Sequence, residues 1–210
     1  MADGTRAASP AHGENAKVRV WDPFVRIFHW MVVVGFFIAY FTEDDALTLH
    51  VWAGYVVGVL VAMRIVWGFI GPKHARFWDF IFSPFRVWTY LADLVRFRGK
   101  RYLGHSPAGG AMVIVLLIGL AFTVFSGLKI YAIAEHSGPL AKFEATVAQT
   151  APTSGARRSP ERRFWHETHE ILANVMMVLV IVHIGGVVLA SVVHRENLPR
   201  AMITGDKRAE

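Results

Sequence analysis

Four histidines stand at the margins of apolar segments: His29, His50, His169 and His183. A neutral imidazole is a common metal ligand, and an ionisable side chain at membrane depth is costly and rarely serves packing alone. His169 and His183 share one segment, fourteen positions apart. On a helix that step rises about 21 Å and ends about 40° from its starting face. One helix face therefore offers a ligand to each half of a bilayer whose apolar core is about 30 Å thick. If successive segments alternate in direction, His50 lies at the depth of His169, and His29 at the depth of His183. The pairs His50/His169 and His29/His183 then suit two haem irons. Two imidazoles close both axial positions, which favours electron transfer over oxygen binding. His166 competes for the outer position, but seventeen residues from His183 it falls about 100° off the shared face. Zinc is the weaker metal reading, since the chain has no cysteine and the ligands divide between two depths.

The segments that must position these side chains follow from hydropathy. Of 210 residues, 54% are hydrophobic and 18% charged, and the apolar ones gather near 24–41, 49–70, 111–133 and 171–193. Each run approaches the roughly 20 residues that a membrane helix needs. Lipid offers no hydrogen bonds to a backbone, so the expected fold is an all-α, integral membrane four-helix bundle over residues 18–207. Residues 1–17 are polar, lack the apolar core of a signal peptide and read as a disordered cytoplasmic tail. The N-terminal flank, the 71–110 loop and the C-terminal tail hold four, seven and four Lys plus Arg, against none and five in the other two connections. Fifteen against five puts both termini in the cytoplasm of a multi-pass protein. The net charge of +6 thus belongs to membrane flanks, and nucleic acid is not an expected partner. Without cysteine there is no covalent Cys-x-x-Cys-His attachment, so a haem here is non-covalent and b-type. Residues 77–97 are aromatic-rich but carry Asp79, Pro84, Arg86 and Asp93, and read as an interfacial amphipathic segment on the inner face. The outer loop 134–166 contains Pro139, Pro152 and Pro160, and is expected to be largely mobile.

Other polar residues have two readings each. Arg64 lies well inside the second run, where it either snorkels to the cytoplasmic interface or holds a haem propionate by bidentate contact. Arg26, one turn before His29, raises the same choice. His74 reads as a headgroup-level residue that could border a quinone site. His12, His105, His136 and His194 fall in tails or loops and read as solvated. Gly35, Gly54, Gly58, Gly119, Gly127, Gly185 and Gly186 permit either close helix approach or room for a flat porphyrin. Trp21, Trp30, Trp52, Trp67 and Trp165 form an expected aromatic belt.

Several stretches are similar to a known family: Val20-Trp21-Asp22-Pro23 with Arg26-Ile27-Phe28-His29-Trp30, Leu49-His50-Val51-Trp52-Ala53-Gly54-Tyr55, Arg64 through Gly68, His74 through Phe77, His166 through Asn174, Val182-His183, and the tail from Arg195 to Gly205. Together they resemble the bacterial cytochrome b561 family, especially its branch near the b-type cytochrome subunit of nickel–iron hydrogenases. The resemblance covers about residues 18–207 and matches the outer loop poorly. It implies an inner-membrane cytochrome with two haem b, passing electrons between a periplasmic redox protein (hydrogenase, c-type cytochrome or other dehydrogenase) and the quinone pool. The family's ligand histidines fall on His29, His50, His169 and His183. Such a chain is an electron-transfer subunit rather than a stand-alone catalyst, with lipid around it and room for a homo-oligomer. Two rivals remain. A superoxide:quinone oxidoreductase needs a basic funnel near the outer haem, which Lys129, Arg157, Arg158, Arg162 and Arg163 could supply. A haem-free membrane anchor predicts that replacing His50 or His183 changes nothing.

Overall fold

The computed structural model describes residues 17–43, 46–150 and 154–209, with the backbone alone for 147–150 and 154–159. Along the chain come β1 (Lys17–Arg19), α1 (Pro23–Phe41), α2 (Leu47–Ile70), a 3-10 turn (Phe77–Asp79), α3 (Pro84–Val95), α4 (Pro107–Glu135), α5 (Ala141–Thr150), α6 (Ser154–Val193), α7 (Leu198–Thr204) and β2 (Asp206–Arg208). Among the described residues four helices are long and apolar enough to cross a membrane: α1, α2, α4 and the Pro160–Val193 part of α6.

Helix starts are written locally. Asp22-Pro23, Ser83-Pro84 and Ser106-Pro107 each place an accepting side chain before a proline at the first helical position. The cap oxygen takes an orphan N–H (Asp22 Oδ1 from Val25 N, 3.1 Å; Ser106 Oγ from Gly109 N, 3.2 Å), and the proline sacrifices none. The first three membrane helices agree with the hydropathy runs to within a few residues at each end. Helix α6 does not: it begins seventeen residues before the expected start at 171. Its early turns are polar yet helical, supported by the Arg163 Nε to Glu167 Oε1 contact of 2.7 Å one turn on. Hydropathy detects only what lipid would cover. The loop expected to be mobile accordingly contains α5 and these turns, while residues 151–153 lie outside the described set.

The bundle closes in the order α1, α2, α4, α6. Phe36, Val57, Val61, Leu120 and Met176 form its buried centre. A Cβ on Gly119 would lie 2.3 Å from Met176 Sδ, so that glycine sets the α4–α6 approach. Outward-facing Ile27, Val34, Val59, Phe122, Val178 and Ile181 are exposed, as a lipid-facing surface requires. Helix α3 spans only 12 residues and turns Tyr90 and Leu94 inward while Phe85, Trp88 and Val95 stay exposed.

The two ends of the described chain, 17–19 and 206–208, close one end of the bundle. β1 and β2 pair antiparallel, Lys17 opposite Arg208, and Val20 N and Trp21 N donate to Gly205 O at 2.9 and 3.1 Å. Lys207 is buried there, its ammonium 3.4 Å from Glu196 Oε2 and 3.0 Å from Tyr102 O, and Arg101 Nη2 reaches Glu196 Oε1 at 3.1 Å. Burial alone would raise the Glu196 pKa, but the Arg101 hydrogen bond and the Lys207 charge outweigh it and hold the carboxyl below its ordinary value of 4.5. A carboxylate with a depressed folded pKa stabilises above its unfolded value, and that contribution fades as pH falls through the folded one. Thermal melts of the detergent-purified protein should therefore lose stability through this acid window. Glu196→Gln should flatten the acid limb and cost about 1–3 kcal/mol at neutral pH.

Candidate cofactor centres

At the end opposite the termini, His50 in the first turn of α2 faces His169 of α6, with ring centroids 5.9 Å apart. Each ring is held from behind. His50 Nδ1 lies 2.8 Å from Ala39 O in the last turn of α1, and His169 Nδ1 lies 3.0 Å from Thr123 O of α4. A carbonyl only accepts, so both Nδ1 atoms carry the proton and both Nε2 atoms keep a ligating lone pair. Ser126, 1% exposed, sits 2.9 Å from His169 Nδ1 and donates to Thr123 O at 2.8 Å. The ring lies flat against α4 because residue 127 is glycine: a Cβ there would come 3.1 Å from His169 Cε1.

Between the helices lies a cleft of about 780 Å³, its open mouth included, lined by both histidines, Phe36, Leu120 and Val124. Its polar lining comes from Thr123, Tyr40, Tyr55, Tyr131 and Glu43, and among the described residues no Lys or Arg joins them. Gly54, one turn beyond His50, also lines the cleft, and a Cβ on it would meet nothing within 4 Å. Two facing imidazoles, an apolar slot and a missing side chain fit a flat macrocycle that brings its own four nitrogens. Among the described residues, no group of three or more His, Cys, Asp or Glu could hold a metal ion unaided.

Toward the termini end, His29 of α1 faces His183 of α6 with centroids 6.4 Å apart. This centre is furnished differently. Arg64 is 2% exposed, donates Nη2 to Ala75 O at 3.0 Å and stands 5.3 Å from the Phe77 ring, so it does not snorkel. Its Nη1 is buried without a partner among the described residues, as are Arg26 Nε, Trp67 Nε1 and His29 Nδ1. Arg26 also donates Nη1 to Thr204 O at 3.1 Å. The arginine and tryptophan nitrogens can only donate, and unpaired buried donors are costly, so the group that suits them is an acceptor such as a carboxylate. A haem propionate is such a group.

The other sequence expectations divide. His166 is exposed, and it is His169 whose ring meets His50. His105 is not solvated: it lies 4.6 Å from the Trp21 ring and 4.4 Å from Phe80. Burial, with Arg64 adding to it, pushes its pKa down to about 3. Trp21 is correspondingly buried and leaves the aromatic belt, whereas Trp30 and Trp52 are exposed. His194 Nε2 meets Tyr90 Oη at 3.1 Å rather than solvent, and His12 lies outside the described residues. Two of the five residues expected to form a basic funnel are already paired. Lys129 is tied to Glu144 and Glu161 and stands 5.4 Å from the Trp165 ring, and Arg163 pairs with Glu167. The side chains of Arg157 and Arg158 lie outside the described residues. Sequence reasoning missed Ser126 and Thr123, because a hydroxyl within an apolar helix looks like any small residue until its neighbour is known.

A family model described as prokaryotic cytochrome b561 matches residues 20–205. The chain belongs to that family. Among its relatives are proteins named "Probable Ni/Fe-hydrogenase B-type cytochrome subunit". The one from Rhodobacter capsulatus is 26% identical, over 98% of this chain and 87% of its own length. That from Rhizobium leguminosarum bv. viciae is 27% identical, over 95% and 94%. A "Probable Ni/Fe-hydrogenase 1 B-type cytochrome subunit" of Escherichia coli (strain K12) is 26% identical over 56% of this chain and 61% of its own. No solved structure matches significantly. This cytochrome b561 is thus a multi-pass bacterial membrane protein that binds b-type haem and serves electron transport. Because a Cβ at position 54 meets nothing within 4 Å, Gly54→Leu directs its side chain into the cleft. It should leave the protein expressed and helical while lowering bound haem, read as pyridine haemochrome per chain.

Proposed function

We propose that this cytochrome carries two haem b groups, one between His50 and His169 and one between His29 and His183, and conducts electrons between a periplasmic redox enzyme and the quinone pool. The observation that carries it is the pairing of four histidines into two facing sets at opposite ends of one bundle. Bound haem supplies reversible one-electron redox chemistry at iron. The residues of the chain do the rest. Ala39 O and Thr123 O fix the tautomers of the first pair, Phe36 and Leu120 keep water from its slot, and Arg64 with Arg26 would hold the propionates of a haem at the second. About 21 Å along α6 separates the two ligand levels.

The distribution of basic residues supports placing the termini end in the cytoplasm and the His50/His169 end outside. On that orientation the exposed Phe85, Trp88 and Val95 face of α3 lies in the inner headgroup layer, beside the region where a quinone would exchange electrons. The names of the relatives support a nickel–iron hydrogenase as the redox enzyme.

Detergent-purified protein should give two haem b per chain. His50→Ala and His169→Ala should each remove one haem, and the double variant should remove no more than that. His29→Ala and His183→Ala should remove the other. If His50→Ala and His169→Ala together lose both haems, the pairing is wrong; full haem content in all four variants means that the ligands lie elsewhere, and no haem in the parent protein hands the chain to the anchor reading. Reduced protein that transfers no electrons to any quinone analogue would sink the quinone part alone.

A further inference from the structure

We infer that Ser126 is a positioning residue for the outer centre, and that the outer centre holds its electron less tightly than the inner one. The inference rests on the two-haem reading and deepens it by giving the two centres unequal potentials and naming a residue that sets one of them.

Two differences between the ends agree. Both outer imidazoles donate Nδ1–H to acceptors: His50 to Ala39 O at 2.8 Å, and His169 to Thr123 O at 3.0 Å with Ser126 Oγ at 2.9 Å. Donation from the far nitrogen makes an imidazole a stronger electron donor, which favours ferric iron. At the inner centre His29 Nδ1 has no such partner among the described residues. Charge acts in the same sense. The outer cleft is lined by Glu43 and, among the described residues, by no Lys or Arg, whereas the 2%-exposed guanidinium of Arg64 is buried in the inner half. A cation in a low-dielectric site favours the state with the extra electron, and a carboxylate disfavours it. Arg64 is fourteen residues from His50 on α2, so the same helix arithmetic that relates His169 to His183 sets it at the inner level, near the outer ligand's face.

Ser126 is the lever that mutation can reach, since the two carbonyls belong to the backbone. Its hydroxyl donates to Thr123 O and has a lone pair left for the His169 proton, so it both steadies that carbonyl and shares the imidazole N–H. With haem bound at both centres, transfer between them would oxidise one iron from ferrous to ferric and reduce the other from ferric to ferrous. No covalent bond changes at either ligand pair. The reductant is a redox protein delivering electrons singly, and the sink is a quinone that takes up two electrons and two protons.

The test is an optical redox titration of the detergent-purified, haem-loaded protein, with haem counted by pyridine haemochrome in every sample. Two midpoints are expected. Ser126→Ala should raise the lower one and leave the upper in place, and Ser126→Thr, which keeps the hydroxyl, should restore the starting value. Glu43→Gln should move the same lower midpoint upward by less, because the carboxylate is exposed and screened. Arg64→Gln should lower only the upper midpoint, by about the 59 mV of a tenfold change in a one-electron equilibrium. If Ser126→Ala moves the upper component, or neither component at full haem content, the proposal is overturned while the two-haem reading stands. Should Ser126→Ala fail to load haem, Glu43→Gln and Arg64→Gln decide alone, and movement of their midpoints in the opposite assignment overturns it. Fewer than two haems in the parent protein overturns the underlying reading and the proposal with it.

Discussion

An imidazole can present a ligating nitrogen inside an apolar bundle only if its other nitrogen is accounted for. Here the His50/His169 pair is held by helix carbonyls that already bond within their own helices and lend a second lone pair: Ala39 O to His50 and Thr123 O to His169. Each bond crosses from one helix to another, α2 to α1 and α6 to α4, so ring orientation and helix register are one constraint. The cleft, the absence of a side chain at Gly54 and the close approach at Gly127 make sense only once those rings are fixed.

The two ends of the bundle solve the membrane problem differently. At the cleft end the polar groups are neutral hydroxyls and one exposed carboxylate, and the surrounding wall is apolar. At the termini end charge is brought inside. Arg64 leans on a loop carbonyl and an aromatic face, and Lys207, Glu196 and Arg101 form a buried ionic cluster that ties the C-terminal strand to the α3–α4 connection. Breaking one member of such a cluster strands the others, which makes this closure cooperative. The antiparallel pairing of β1 with β2 then fastens both ends of the chain beneath the same centre.

Much of this was legible one residue at a time. Four apolar runs became the four membrane helices. The pairing of His50 with His169 and of His29 with His183 could be read from spacing, and the folded chain brings those rings to 5.9 and 6.4 Å. The start of α6 was misread because polar residues outside lipid form helix as readily as apolar ones within it. His105 and Trp21 were misread as a solvated loop residue and a belt residue, though their rings meet edge to face beneath the bundle.

What the sequence determined by itself is therefore longitudinal: which stretches are helical in lipid, how far apart along a helix two ligands stand, and which face they share. Rise and rotation are properties of a single helix and need no neighbour. What only the tertiary structure decided is lateral. It settled that Arg64 turns to Ala75 rather than to the water interface, that Ser126 backs His169, and that Lys129 is taken up by Glu144 instead of standing free. Each of those outcomes depends on which atoms of another helix or loop lie within about 3 Å, the reach of a hydrogen bond, and no periodicity within one segment carries that information.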